Sequence, residues 1–134
     1  MKKFEVLEHK ADLKIRAFGK TKAELFLNML FGMAENQRAE IKNKEKIKRK
    51  IKIRSLDFAA LLVDFLSEAL YLSQVNKEVY FKAEFTKFTD REIEGELIGQ
   101  KVERFGEDIK AVTHHDLDIQ QEDGIWRATV LFDI

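Results

Sequence analysis

The chain begins in short runs of alternating polarity. Phe4 to Glu8 reads as a strand with Phe4 and Val6 on one face. Leu13, Ile15 and Ala17 alternate with Lys14 and Arg16 in a second, half-buried strand that Gly19 ends. The period changes at Thr21-Lys22-Ala23-Glu24, a capping-box signature in which Thr21 accepts from the Glu24 backbone N–H and the Glu24 side chain reaches back. The helix it opens carries Phe26, Met29, Leu30 and Met33 on one stripe. From Lys46 to Ile53 the alternation returns, with Ile47, Ile51 and Ile53 on one face and Lys46, Lys48, Lys50 and Lys52 on the other. Ser55 is the expected N-cap of the next helix, with Asp57 in its first turn, favoured there by the helix dipole. That helix runs to about Gln74 and is apolar around most of its circumference, which makes it the expected centre of the core.

The remainder reads as strands. Val79, Phe81, Ala83 and Phe85 alternate with charged residues, and Thr89-Asp90-Arg91 turns the chain into a long strand from Glu92 to Glu103. Within it the apolar parity switches between Leu97 and Ile98, beside Gly99, which predicts a bulge. Leu117 and Ile119 begin a further strand, and Asp123-Gly124 is a hairpin turn. The final strand puts Trp126, Ala128, Val130, Phe132 and Ile134 on one face and Arg127, Thr129, Leu131 and Asp133 on the other. Two strands, helix, strand, helix and four strands do not make a regular β-α alternation, so a doubly wound parallel sheet is not expected. The expected architecture is α+β, a two-layer sandwich of a mostly antiparallel sheet with two helices packed on one face, in a single domain over residues 1–134.

Composition narrows the chemistry. The 134 residues include 45% hydrophobic residues and 11 Phe, enough for a core without metal or disulfide. The 24 basic and 24 acidic residues cancel, which argues against a wholly basic nucleic-acid coat and against an acidic disordered tail. Absence of Cys removes thiol nucleophiles and Cys-type zinc sites and fits a reducing compartment. The first residues, Met1-Lys2-Lys3-Phe4-Glu5, carry acid too early for a signal peptide, and a cytoplasmic protein without a membrane partner is expected. Neutrality conceals a polarised chain: Lys42 to Arg54 holds eight basic residues against Glu45 alone. An edge strand kept soluble by lysines explains that stripe; a phosphate-facing surface is the functional alternative.

No phosphate-binding loop, dinucleotide fingerprint, nucleophile elbow or H-E-x-x-H zinc motif is present. Three places can carry chemistry. His9-Lys10-Ala11-Asp12 joins the first two strands, with Asp12 off the core face. Lys110-Ala111-Val112-Thr113-His114-His115-Asp116 precedes the next-to-last strand, and adjacent strand histidines point apart. Phe132-Asp133-Ile134 closes the chain, with Asp133 also off the core face and the Ile134 carboxylate a further anion. Brought together, such oxygen donors suit Ca²⁺ or Mg²⁺. An aspartate at a strand start also serves as a turn former.

Taken in order, these elements resemble the archease family. His9-Lys10-Ala11-Asp12 is similar to its H-T-A-D element, Gly19-Lys20-Thr21 to its first helix start, and Asp57-Phe58-Ala59-Ala60-Leu61-Leu62 through Leu70-Tyr71 to its second helix. Lys110-Ala111-Val112-Thr113 followed by His115 resembles its K-A-V-T-Y-H element, and Phe132-Asp133-Ile134 its F-D-[IV] ending. Lys10 stands where Thr is usual, and His114 and Asp116 stand for the usual Tyr and Gly. The resemblance implies a cofactor protein, not itself an enzyme, for the tRNA-splicing RNA ligase that works through a guanylylated histidine. It would promote that guanylylation, confer multiple turnover and broaden nucleotide use, meeting RNA only indirectly. It further implies a divalent cation, foremost Ca²⁺ with Mg²⁺ or Mn²⁺ as alternatives, at Asp12, Asp133 and Ile134, and a part in ligase activation for Lys110, His9 and His115. Two other functions fit the residues: a metal-dependent phosphoester hydrolase using Asp12, Asp133 and His115, and an RNA-binding module using the Lys46–Arg54 face.

Overall fold

The computed structural model describes residues 1–7 and 11–134. The elements run β1 (Phe4–Leu7), β2 (Asp12–Gly19), α1 (Lys22–Asn36), β3 (Ala39–Ile41), β4 (Ile47–Arg54), α2 (Phe58–Asn76), β5 (Glu78–Phe88), β6 (Glu92–Phe105), β7 (Ala111–Glu122) and β8 (Ile125–Asp133). All the strand pairings are antiparallel, so the α+β sandwich expected from the periodicity is the fold. The strands divide into two four-stranded sheets. One has the order β1-β2-β8-β7; in the other, β3, β4 and β5 all pair with β6. The short β3 has no apolar alternation over its three residues, which is why the sequence pattern passes over it.

Helix α1 starts as the capping box requires. Thr21 Oγ1 accepts from Glu24 N at 3.0 Å, while Glu24 Oε1 takes the N–H of Lys20, one residue before the cap. At α2 the expected cap is corrected: Asp57, not Ser55, is the N-cap, its carboxylate accepting from Ala60 N at 2.8 Å. Ser55 lies too far upstream to reach the first turn and donates its hydroxyl to Asp64 Oδ2 at 2.6 Å. The helix leaves through Lys77 in the left-handed region, φ 53°.

Helix α1 packs on β2 and β5, and α2 on β7 and β5. The core gathers Ile15, Ala17, Val130 and Phe132 from the first sheet, Leu97 and Ile93 from the second, and Phe26, Met29, Leu62, Phe65 and Leu66 from the helices. Phe26 sits at its centre, stacked on Phe58 and Phe65 and edge-on to Phe88. Helix α2 has the length and mean hydropathy of a membrane span, but Leu61, Leu62, Phe65, Leu66 and Ala69 are fully buried in this core.

The switch beside Gly99 takes an unexpected form. The extra residue lies in β5: Tyr80 faces Gly99 and Lys82 faces Ile98, leaving Phe81 without a partner, while β4 pairs regularly through this level. The apolar residues beyond the switch are used on the opposite face, where Val79 and Val102 form a second small core with Ala34 of α1. A Cβ on Gly99 would overlap the Val79 carbonyl oxygen, so the close approach of β5 requires glycine there.

Candidate functional site

The β2–β8 pairing sets the geometry. Ile15 faces Val130 and Leu13 faces Phe132 on the core side, and the same register places Asp12 directly opposite Asp133 on the outer side. Residues opposite each other in an antiparallel pair point the same way, with Cβ atoms about 5 Å apart. Two carboxylates 121 positions apart in the chain are thereby held side by side at one end of the first sheet. The Asp133 side chain takes no ion pair or hydrogen bond among the described residues. Neighbouring Ile134 is partly exposed.

Strand β7 brings the second element to the same corner. Ala111 pairs with Asp133, and Lys110 N donates to the Asp133 carbonyl oxygen at 2.7 Å. The approach to this strand is fixed by Ile109, which is buried and whose carbonyl accepts from Gln74 Nε2 on α2 at 2.7 Å. Lys110 itself is exposed. The backbone positions of Asp12, Asp133 and Lys110 thus lie at one end of the first sheet, where β2 and β7 begin and β8 ends.

The histidines behave differently. After Thr113, paired with Leu131, the next paired residue of β7 is Asp118, opposite Thr129; residues 114–117 therefore stand against Val130 alone. This large bulge begins earlier than the strand start expected at Leu117, and it throws His114, His115 and Asp116 into solvent. Asp116 takes φ 56°, a left-handed conformation that Gly adopts without strain and Asp tolerates better than most residues. His115 is bonded within the bulge, its N–H to Thr113 Oγ1 at 3.2 Å and its Nε2 3.5 Å from Asp116 Oδ2. It does not join Asp12 and Asp133: among the described residues no three His, Asp or Glu side chains gather as a metal-holding group. His114 lines a separate cleft of about 850 Å³ with Arg54, Leu56, Asp64 and Arg91. His9 lies outside the described residues.

A polar cluster that the sequence reading overlooked lies on the second sheet. Glu78 is wholly buried and accepts two bonds from Arg49, 2.9 Å to Nε and 2.7 Å to Nη2, and one from the Tyr80 hydroxyl at 2.6 Å. The Arg49 hydrogen bonds hold the Glu78 carboxyl below the usual range, against the opposing effect of burial and with help from Tyr80. Burial and the neighbouring carboxylate push the Tyr80 phenol up. The signal was present: Arg49 shares its strand face with Ile47, Ile51 and Ile53, and an arginine on an apolar face calls for a buried acid.

Known proteins resemble the whole chain. The model of the Archease protein family matches residues 4–134. Protein archease of Methanosarcina mazei is 36% identical, with 99% of this chain and 97% of the relative covered. Protein archease of Pyrococcus furiosus is 33% identical over all of both chains. Among solved structures, protein 1598 of Methanobacterium thermoautotrophicum superposes with a TM-score of 0.70 at 26% identity, covering all of both chains. An archease of Thermotoga maritima, described as a possible chaperone, gives a TM-score of 0.69 at 19% identity over 96% of this chain and 94% of its own.

Proposed function

Because the chain belongs to the archease family, we propose that it is an accessory protein that activates the tRNA-splicing RNA ligase by promoting guanylylation of the ligase histidine. The observation that carries this reading is the corner formed by Asp12, Asp133 and Lys110, where the register of β2, β8 and β7 unites the positions that the family resemblance marks out. On this reading the protein needs no nucleophile of its own. It presents charge to a partner whose nucleotide and metal site must be reorganised.

The residues fit a hard divalent cation in part. Two carboxylates facing each other on one side of a sheet are hard oxygen donors of the kind such a cation takes. Asp12 and Asp133 would supply the side-chain ligands, with main-chain oxygen of Ile134 and water completing the shell. Ca²⁺ accommodates such a mixed, irregular oxygen set better than Mg²⁺, which demands near-octahedral geometry. Lys110 would meet the partner's phosphates or carboxylates beside that charge, in the cytoplasm where the ligase and its RNA meet.

A hydrolase using Asp12, Asp133 and His115 is less well supported, since the β7 bulge carries His115 away from a three-membered ligand group among the described residues. The test is a guanylylation assay of the ligase with GTP, with and without this protein at substoichiometric amount. Faster labelling of the ligase is expected. Unchanged labelling would overturn the reading, and phosphoester turnover by this protein alone would establish the hydrolase.

A further inference from the structure

We propose that the outer edge of β4 is a docking site for an extended acidic peptide segment of a partner protein, which adds to the second sheet as a further strand. The proposal is independent of the metal corner and of the ligase reading.

The first observation is main-chain. Among the described residues strand β4 pairs with β6 alone, over eight residue pairs from Ile47–Gly99 to Arg54–Glu92. Ser55 N donates to Arg91 O, which fixes the phase of the ladder. By the alternation of antiparallel pairing, Ile47, Arg49, Ile51 and Ile53 spend their N–H and C=O groups on β6. Lys48, Lys50, Lys52 and Arg54 then turn theirs outward, an unfilled template for another strand.

The second observation is charge. Those same four residues carry the exposed basic side chains, about 7 Å apart along one face. Among the described residues only Arg54 is held in an ion pair, with Glu92 at 3.1 Å. Outward backbone groups and unpaired positive charge thus coincide at Lys48, Lys50 and Lys52, with the paired Arg54 at the end of the row. A second copy of this chain would bring a like-charged edge and be repelled. An acidic strand would satisfy both the ladder and the lysines, the main-chain bonds giving affinity and the alternate side chains specificity.

A single-stranded RNA fits less well. Phosphate oxygens accept hydrogen bonds and would leave the edge carbonyls facing anions. Glu92, Glu94 and Glu96 also lie opposite Arg54, Lys52 and Lys50 on β6, so a polyanion spread across the face would meet acid one strand further in.

The test uses the full chain and an eight-residue peptide alternating Glu and Val, with the same peptide carrying Lys for Glu and oligouridylate RNA as comparisons. The Glu peptide is expected to bind and to slow amide exchange at Lys48, Lys50, Lys52 and Arg54 at least tenfold. Lys50→Gln and Lys50→Pro each remove one charge, but only the proline also removes the outward N–H, a change edge strands tolerate. Lys50→Pro is expected to weaken binding at least fivefold more than Lys50→Gln. Absence of exchange protection, equal losses in the two variants, or tighter binding of the RNA than of the peptide would each overturn the proposal. If Lys50→Pro does not fold, the protection pattern on the unmodified chain decides alone.

Discussion

Asp12 and Asp133 are direct partners across β2 and β8, and the pairing that buries Ile15 against Val130 also fixes these two carboxylates on the outer face. A core requirement therefore sets the charge geometry: a one-residue slip would send Phe132 into solvent and the aspartates inward. Since Asp133 is exposed and its side chain has no partner among the described residues, Asp133→Asn should leave stability in chelator within about 0.5 kcal/mol of the parent. Added Ca²⁺ should raise the melting temperature of the parent and not of the variant. Differential scanning fluorimetry with and without Ca²⁺ checks both.

The Glu78 cluster predicts an acid limb. The Glu78 carboxyl titrates below its usual range in the folded chain. Its contribution is therefore fully present above the unfolded value of about 4.3 and is lost as pH falls through the folded value. Glu78→Gln should flatten stability against pH below about 4.3. Arg49→Met should cost about 2–4 kcal/mol near neutral pH, because it leaves a buried carboxylate with only the Tyr80 hydroxyl and Lys101, 3.6 Å away. Urea unfolding across the acid range measures both.

The two helix-start readings separate by mutation. Asp57→Ala should destabilise by about 1 kcal/mol, the cost of an N-cap. Ser55→Ala removes only the bond to Asp64 and should stay within about 0.5 kcal/mol. Equal losses in thermal unfolding would return the cap to Ser55.

Gly99→Ala is expected to destabilise by about 2–3 kcal/mol or more, because the new methyl must displace the β5 backbone at Val79. Gly124→Ala provides the contrast, with open space around its Cβ but a φ of 76° to strain; its cost should be about 1 kcal/mol. Denaturant midpoints of the two variants rank them.

Much of the fold was legible because it rests on periodicity. The strands around Ile15, Ile51 and Val130 and the apolar α2 follow from spacing alone, and the capping box at Thr21 marked its helix to the residue. What escaped depends on contacts between distant segments. The division into two sheets is not written in any one strand, and β3 has too few residues to show a period. The bulge beside Gly99 was foreseen, yet which strand holds the extra residue depends on the partner. The corner was half legible: parity put Asp12 and Asp133 off the core face, while their register is a property of the folded sheet. The outward throw of His114 and His115 arises from four residues opposing one, which alternation along a single strand cannot reveal.

The most direct measurement is ligase guanylylation at one part of this protein to ten of ligase, comparing the parent chain with Asp133→Asn, Lys110→Met and the double variant Lys48→Glu/Lys50→Glu. If the corner is the activating surface, the parent accelerates the reaction, Asp133→Asn and Lys110→Met lose at least tenfold of that acceleration while remaining folded, and the β4 double variant retains more activation than either. Full activation by both folded corner variants would contradict it.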